Sequence, residues 1–157
     1  MSCPKCGATG VVPGRLDVGG ERTSVSFLPM DLRWFAWRRS CAPVATFRAC
    51  SNCGHLWNRV SASNLRDLVD ASASAELIAR LRHRAVAATS ARCPECADPV
   101  FVEGHFAWAA TPNFEPDYLR KAPLFKSPLL LHDIVRACTS CGHAWSLIDP
   151  AELRRLL

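Results

Sequence analysis

Eight of the nine cysteines in this chain of 157 residues form four pairs, each with two residues between its members. A thiolate is a soft ligand, and a turn of this length lets both sulfurs of a pair face one metal ion. Two pairs supply the four sulfurs of a tetrahedral zinc site, which leaves no coordination position for water or substrate. The spacing therefore predicts two structural zinc ions. Their predicted ligands are Cys3, Cys6, Cys50, Cys53, Cys93, Cys96, Cys138 and Cys141.

Disulfide bonds are the competing use of paired cysteines, but they need an oxidising compartment. The first pair begins at Cys3, which leaves no room for a signal peptide, so we expect a cytoplasmic protein. The longest apolar run, SPLLLHDIV, contains a histidine and an aspartate and is too short to span a bilayer. We therefore expect no membrane association.

The second half of the sequence repeats the first. RACSNCGHLW ends at Trp57 and RACTSCGHAW ends at Trp145, with seven of ten positions identical. A second shared motif, F-x-P-x-x-L-R, occupies residues 27–33 and 114–120. If each copy is self-contained, the first two cysteine pairs hold one zinc and the last two hold the other. Swapped or shared arrangements, such as one joining the second and third pairs, remain the alternative.

Short strands followed by a helix are predicted in each copy. Segments such as VATFRAC and HLWNRV are rich in β-branched and aromatic residues, as strands are. The closing helix should begin at Ser61 or Ser63 in the first copy and at Asp149, followed by Pro150, in the second. The predicted fold is α+β and zinc-stabilised. It comprises a β-rich unit over residues 1–69, a helical connector over 70–90 and a second unit over 91–157.

The histidines and tryptophans of the repeated phrase are predicted to be structural. His55 and His143 lie two residues beyond a ligand, but four cysteines already fill each site, so we expect them to hydrogen-bond locally. Trp57 and Trp145 should cover the zinc sites. The ninth cysteine, Cys41, has no counterpart in the second copy and is predicted to be a small buried hydrophobe.

The copies differ most in the basic aromatic segment LRWFAWRR, residues 32–39. Large aromatic side chains mixed with cations are typical of a nucleic-acid stacking surface or of a protein-interaction hot spot. The alternative is that the aromatic residues build a small core with arginines at its rim. The candidate partner-binding residues are Arg33, Trp34, Trp37, Arg38 and Arg39.

Zinc changes the charge of the chain substantially. The formal charge is +5, but each tetrathiolate zinc site carries −2, so the loaded protein stands near +1. Residues 1–90 hold twelve Lys/Arg against six Asp/Glu, whereas residues 91–157 hold seven against eight. Such a balance is not that of a general nucleic-acid binder.

The C-P-x-C pair near the N-terminus and the later C-x-x-C-G-H-x-W phrase resemble the zinc-ribbon superfamily. Small, mostly uncharacterised bacterial zinc-ribbon proteins are especially similar. The resemblance implies three strands around a zinc held by four cysteines, and it does not specify a function. The cysteine pairs of this chain lie 43 and 41 residues apart, against about 15–20 in compact sites. Each copy therefore carries an insert, and no partner carries over from the compact ribbons.

These features favour a non-catalytic zinc-binding adaptor for a macromolecular partner, with protein slightly favoured over nucleic acid. No carboxylate pair, Ser/His/Asp set or phosphate-binding glycine loop is evident, so we expect neither an enzyme nor a small-molecule substrate. One alternative is a DNA- or RNA-binding regulator that uses residues 32–39. Another is a redox- or zinc-responsive protein that uses the paired thiols. In a third, the second copy is chiefly a scaffold or dimerisation element.

Overall fold

The computed structural model describes residues 1–17, 27–29, 42–86, 92–106, 113–116, 129–130 and 134–156. In these segments nine strands and three helices follow one another along the chain. The strands are β1 (Val11–Asp17), β2 (Phe27–Pro29), β3 (Phe47–Cys50), β4 (His55–Arg59), β5 (Phe101–Phe106), β6 (Asn113–Pro116), β7 (Leu129–Leu130), β8 (Val135–Cys138) and β9 (His143–Leu147). The helices are α1 (Ala62–Ser72), α2 (Ala75–Val86) and α3 (Pro150–Leu156).

All nine strands belong to one antiparallel sheet in the order β2-β5-β8-β9-β4-β3-β1-β6-β7. Each copy supplies three adjacent strands, β1-β3-β4 or β5-β8-β9, and the copies meet where β4 pairs with β9. Trp57 lies directly opposite Trp145 in that pair. Because these two equivalent residues oppose each other at the centre of an antiparallel pair, the two copies are related by an approximate two-fold axis, as in a symmetric dimer.

The copies also exchange strands. β2, from the first copy, pairs with β5 of the second, and Phe27 lies opposite Phe106. Reciprocally, β6 of the second copy pairs with β1 of the first, and Phe114 lies opposite Leu16. Each exchanged strand is the start of an F-x-P-x-x-L-R motif, and it covers an edge that a three-stranded unit would leave open.

One sheet therefore contains both copies, and its strands cross the predicted boundary between units 1–69 and 91–157. An outer strand of each copy pairs with the other copy, and the division into two β-rich units stays a prediction. The combination of an antiparallel sheet with helices agrees with the predicted α+β class.

The helices begin where the sequence predicts. Ser61 caps α1, and its Oγ accepts a hydrogen bond from the backbone N–H of Asn64 at 3.3 Å. Asp149 precedes α3, and its Oδ1 accepts one from the N–H of Ala151 at 2.7 Å. The predicted connector, 70–90, holds the end of α1 and all of α2. None of the described helices is long and apolar enough to cross a membrane.

The two faces of the sheet carry different layers. On one face, strand residues such as Phe47, Leu56 and Val135 form one buried core with residues of all three helices. The helix residues in that core include Leu65, Leu68, Val69, Leu77 and Leu153. The opposite face, here called the knuckle face, carries a second buried cluster. Its members are Cys3, Cys50, Trp57, Cys93, Phe101, Cys138 and Trp145.

Reciprocal backbone hydrogen bonds join the copies beside the central strands. The N–H of Val60 donates to the carbonyl of Gly142 at 2.8 Å, and the N–H of Ile148 donates to that of Gly54 at 2.9 Å. A Cβ on Gly54 would lie 2.0 Å from the Ile148 oxygen, and one on Gly142 would lie 2.1 Å from the Val60 oxygen. Both glycines also have positive φ, so the backbone conformation and the close contact each require glycine at these positions.

We predict that Gly142→Ala destabilises the protein far more than Gly7→Ala. Both glycines have φ near +73°, where a side chain costs about 1–2 kcal/mol, but a Cβ on Gly7 meets nothing within 4 Å. The second copy already has Ala97 at the position of Gly7, with φ 61°. In urea unfolding of the zinc-loaded protein, Gly142→Ala should lose about 3 kcal/mol or more. Equal losses for the two variants would contradict the close contact between copies.

Candidate metal centres

Each group of four cysteines is assembled by one strand pairing. In the first copy, Cys3 and Cys6 lie in the loop before β1, and Cys50 and Cys53 lie in the turn from β3 to β4. Pairing of β1 with β3 places Val11 opposite Cys50 and so brings the two turns together. The pairing of β5 with β8 does the same in the second copy.

The four turns share one backbone conformation. The residue after the second cysteine of each pair has positive φ, at Gly7, Gly54, Ala97 and Gly142. Its N–H donates to the carbonyl of the first cysteine of the pair, at 2.8 to 3.0 Å. Because the turn is local, the same four-residue spacing produces it in all four places.

The sulfur positions suit a tetrahedral metal ion. In the first group, Sγ–Sγ distances are 3.8 Å for Cys3–Cys53 and 3.7 Å for Cys6–Cys50. In the second they are 3.7 Å for Cys93–Cys141 and 3.6 Å for Cys96–Cys138. A tetrahedron with zinc–sulfur bonds of about 2.3 Å has edges of about 3.8 Å. All four sulfurs of each group lie within 4.8 Å of one another.

The two separate groups are consistent with two structural zinc ions, as the sequence predicts. Their membership is the one expected if each copy holds its own ion: the first pair joins the second, and the third joins the fourth. The strand exchange described above therefore involves the sheet edges and leaves the ligand sets of the two copies separate.

Burial sets the chemistry of the ligands before a metal binds. Burial raises the pKa of the Cys53 thiol to about 12 and that of Cys141 to about 11. The backbone N–H of Ala8 lowers the pKa of the more exposed Cys6 to about 6. At neutral pH Cys53 and Cys141 keep their protons without metal, so zinc must displace these protons to form thiolates, and its affinity should rise with pH.

The repeated tryptophans cover the cysteines, as predicted. Trp57 and Trp145 are 6% and 8% exposed and belong to the buried cluster that contains ligand residues of both copies. Phe101 packs edge-on against Trp145, with ring centroids 5.5 Å apart. The tryptophans thus shield the zinc sites from solvent on the knuckle face.

The expectation that the repeated histidines hydrogen-bond locally is wrong. Nε2 of His55 lies 3.4 Å from Nε2 of His143, and the rings stack with centroids 5.6 Å apart. Both are buried, and burial lowers the pKa of His55 to about 3 and that of His143 to about 4. Burial thus favours the neutral form of both rings, and a hydrogen bond between the two Nε2 atoms needs a proton on one of them. The two imidazoles must hold different tautomers.

The duplication is the sequence signal that bears on this contact. Equivalent residues of a duplicated sequence meet each other when they lie near the two-fold axis of the pair. The pairing of β4 with β9 puts both histidines on the central strands but at opposite ends of the pair, since His55 lies opposite Leu147 and His143 opposite Arg59. The register alone therefore does not predict that their imidazoles meet.

One cysteine turn in each copy accepts a hydrogen bond from a helix of the other copy. Arg66 of α1 donates from Nη1 to the carbonyl of Thr139 at 2.7 Å, and Arg154 of α3 donates to the carbonyl of Ser51 at 2.5 Å. The two arginines are equivalent in the duplication, and so are the two acceptors. Both hydrogen bonds reach into the turn between the cysteines of the C-x-x-C-G phrase, so a helix of each copy contacts a ligand-bearing turn of the other.

The predicted partner-binding residues lie outside the described part of the chain. Arg33, Trp34, Trp37, Arg38 and Arg39 are among them, and so is Cys41. Their roles stay predictions.

Comparisons of the chain with protein-family models, with curated proteins and with solved structures found no match. The resemblance to the zinc-ribbon superfamily thus rests on the cysteine pattern and on the two four-cysteine clusters, which indicate tandem zinc-binding sites.

We predict two zinc ions per purified chain and one after Cys138→Ser. Removal of one thiolate opens the second site, while the first keeps all four of its sulfurs. The matched control is Ser140→Ala, in the same turn but outside the ligand set, which should retain two ions. Metal content by mass spectrometry tests this. Loss of both ions from Cys138→Ser would contradict separate ligand sets, and loss of none would contradict the assignment of Cys138.

We predict that the two histidines are energetically coupled. His55→Phe leaves the imidazole of His143 buried without its partner, which costs about 1–3 kcal/mol, and the reverse variant does the same. The double variant removes both polar groups and should cost less than the sum by about 1 kcal/mol. Unfolding free energies of the three variants measure this coupling. Additive losses would show that the 3.4 Å contact contributes nothing.

Proposed function

We propose that this protein is a non-catalytic zinc-binding adaptor that presents a surface to a protein partner. The observation that carries the proposal is the closed ligand set: four sulfurs surround each metal position, at the spacing of a full tetrahedron. Catalytic zinc sites keep one position for water or substrate, and a site with four thiolates has none. The metal ions would then serve to fix the sheet and its surface.

The scaffold suits this role because both metal-binding turns attach to one sheet. The knuckle face is anchored by Cys50 and Cys138 at the ends of β3 and β8, and the helices cover the other face. A rigid platform lowers the entropic cost of binding a partner. We propose a cytoplasmic location, which keeps paired thiols reduced and available for zinc.

A protein partner is favoured over nucleic acid on two grounds. Zinc binding reduces the net charge from +5 to about +1, which gives little long-range attraction for a polyanion. Trp57 and Trp145, the aromatic residues of the central strands, are buried and offer no free ring face on which bases can stack. A nucleic-acid partner would have to rely on the basic aromatic segment 32–39.

A redox- or zinc-responsive role is the second candidate, because Cys6 and Cys96 are exposed. Oxidation would then expel zinc. Loss of metal after mild peroxide treatment would favour this role over an adaptor.

We predict that the double variant Trp37→Ala/Arg38→Ala loses at least one protein captured by the wild type and still binds two zinc ions. Large aromatic and arginine side chains contribute most of the energy of many interfaces. Affinity capture with nuclease treatment, read by mass spectrometry, measures the loss. Arg155→Ala, an exposed position on α3, is the control and should capture the wild-type set. An unchanged set for the double variant would remove segment 32–39 as the partner surface. If nuclease treatment abolishes capture, or if capture falls steeply with salt, the partner is a nucleic acid and the proposal of a protein partner fails.

A further inference from the structure

Two pockets lie on the knuckle face, one on each side of the central strand pair. The Trp57 pocket, of about 810 Å³, is lined by Trp57 and by His143 of the other copy. The Trp145 pocket, of about 470 Å³, is lined by Trp145 and His55 in the equivalent arrangement. The prolines of both N-terminal cysteine turns, Pro4 and Pro94, contribute to each pocket. The pockets are thus related by the same approximate two-fold axis as the copies.

The copies differ in charge where they line these pockets. In the Trp57 pocket, Arg59 donates to Glu95 at 2.7 Å, so the pocket contains its own ion pair. The equivalent positions of the Trp145 pocket hold Leu147 and Lys5. Three cations line the Trp145 pocket, and none of the described residues that line it is a carboxylate. The cations are Lys5, Arg92 and Arg136.

These cations have donors left for a ligand. Lys5 is exposed and has no ion pair within the described segments. Arg136 bonds Glu103 through Nε at 3.3 Å, which leaves the two Nη groups of its guanidinium for another acceptor. Arg92 donates from Nη1 to the carbonyl of Ala97 at 3.1 Å, and the other N–H groups of its guanidinium remain for a ligand. A guanidinium binds a carboxylate through two parallel hydrogen bonds.

The remaining lining is apolar. Ile134 is 42% exposed at the rim, and Leu147, Pro94 and the edge of Trp145 lie in the same pocket. An exposed isoleucine beside cations favours a ligand that places an apolar side chain between negatively charged groups. The volume of about 470 Å³ is within the range of pockets that hold a few side chains or a small molecule.

We infer that the Trp145 pocket binds an acidic peptide segment of the partner protein, in which carboxylates flank one apolar side chain. The inference rests on the proposed adaptor function and names the chemistry of its partner. The carboxylates meet Lys5 and the guanidinium groups of Arg92 and Arg136, and the apolar side chain covers Ile134 and Leu147. The Trp57 pocket does not share this chemistry, because Glu95 pairs with Arg59 there and would repel a carboxylate.

A short acidic peptide fits this pocket better than a nucleic acid does. The tetrathiolate zinc behind the pocket carries −2, which cancels much of the long-range field of the three cations. The binding of a phosphate backbone depends on that long-range field, whereas two or three carboxylates bind by direct contact with the cations. Trp145 is also buried, with 8% of its surface exposed, so it offers no free ring face on which a base can stack.

The test is selection of short random peptides displayed on yeast against the immobilised, zinc-loaded full chain. We expect enriched peptides to carry Asp or Glu on both sides of a Leu, Ile or Phe. One enriched peptide, labelled with a dye, then serves as the probe in fluorescence anisotropy. Lys5→Glu should weaken its binding about tenfold or more, because it introduces at this pocket the carboxylate that the other pocket has. Arg136→Gln should also weaken it.

The matched control is Arg155→Glu, which changes the net charge by the same amount at an exposed position on α3. We expect it to leave peptide affinity within about twofold, while all three variants keep two zinc ions. Enriched peptides without an excess of acidic residues would overturn the inference, as would equal weakening by Lys5→Glu and Arg155→Glu. A single-stranded oligonucleotide that binds more tightly than the peptide and loses affinity in Lys5→Glu would also overturn it.

The proposed function can survive that failure. If proteins captured by the chain depend on residues 32–39 and the selected peptides show no acidic preference, the adaptor function stands and this pocket is not its site.

Discussion

The antiparallel pairing of β4 with β9 is the interaction on which the rest of the structure depends. It joins the two copies into one sheet and places Trp57 opposite its counterpart Trp145, with the other register pairs arranged symmetrically on either side. From this follow the contact between the two histidines, the close approach at Gly54 and Gly142, and the reach of each helix to the other copy's cysteine turn. A duplicated chain behaves here as a dimer whose subunits are covalently joined.

The metal sites follow from local sequence and could be predicted. Two residues between cysteines, with a glycine or alanine that accepts positive φ after them, determine the turn without help from distant residues. Helix starts at Ser61 and Asp149 are equally local, since a side chain caps the N–H groups of its own first turn. The burial of both tryptophans could also be predicted, because a large aromatic residue beside a closed zinc site has little else to contact.

The pairing of the copies could not be predicted, because nothing local specifies it. HLWNR and HAWSL are apolar enough to be buried on both faces. The two segments are 88 residues apart, however, and either could have formed an edge strand of its own sheet. The strand exchange is harder still, since FLP and NFEP are short segments whose pairing with β5 and β1 depends on the sheet being assembled first. The segment with the strongest functional signal, residues 32–39, lies outside the described residues.

The copies agree where they build metal sites and differ where they line the two pockets. The exchange of Glu95 for Lys5 and of Arg59 for Leu147 changes the charge and leaves all eight cysteine ligands and the Trp57–Trp145 pair in place. A duplicated scaffold can thus keep its metal-dependent stability in both halves while one half acquires a different surface.

The most direct test of the account is an NMR measurement of nuclear Overhauser contacts in the zinc-loaded chain. If β4 and β9 pair as described, backbone protons of Leu56, Trp57 and Asn58 should show cross-strand contacts to Ser146, Trp145 and Ala144, respectively. Contacts confined to each copy, with none between residues 55–59 and residues 143–147, would contradict the joined sheet and everything argued from it.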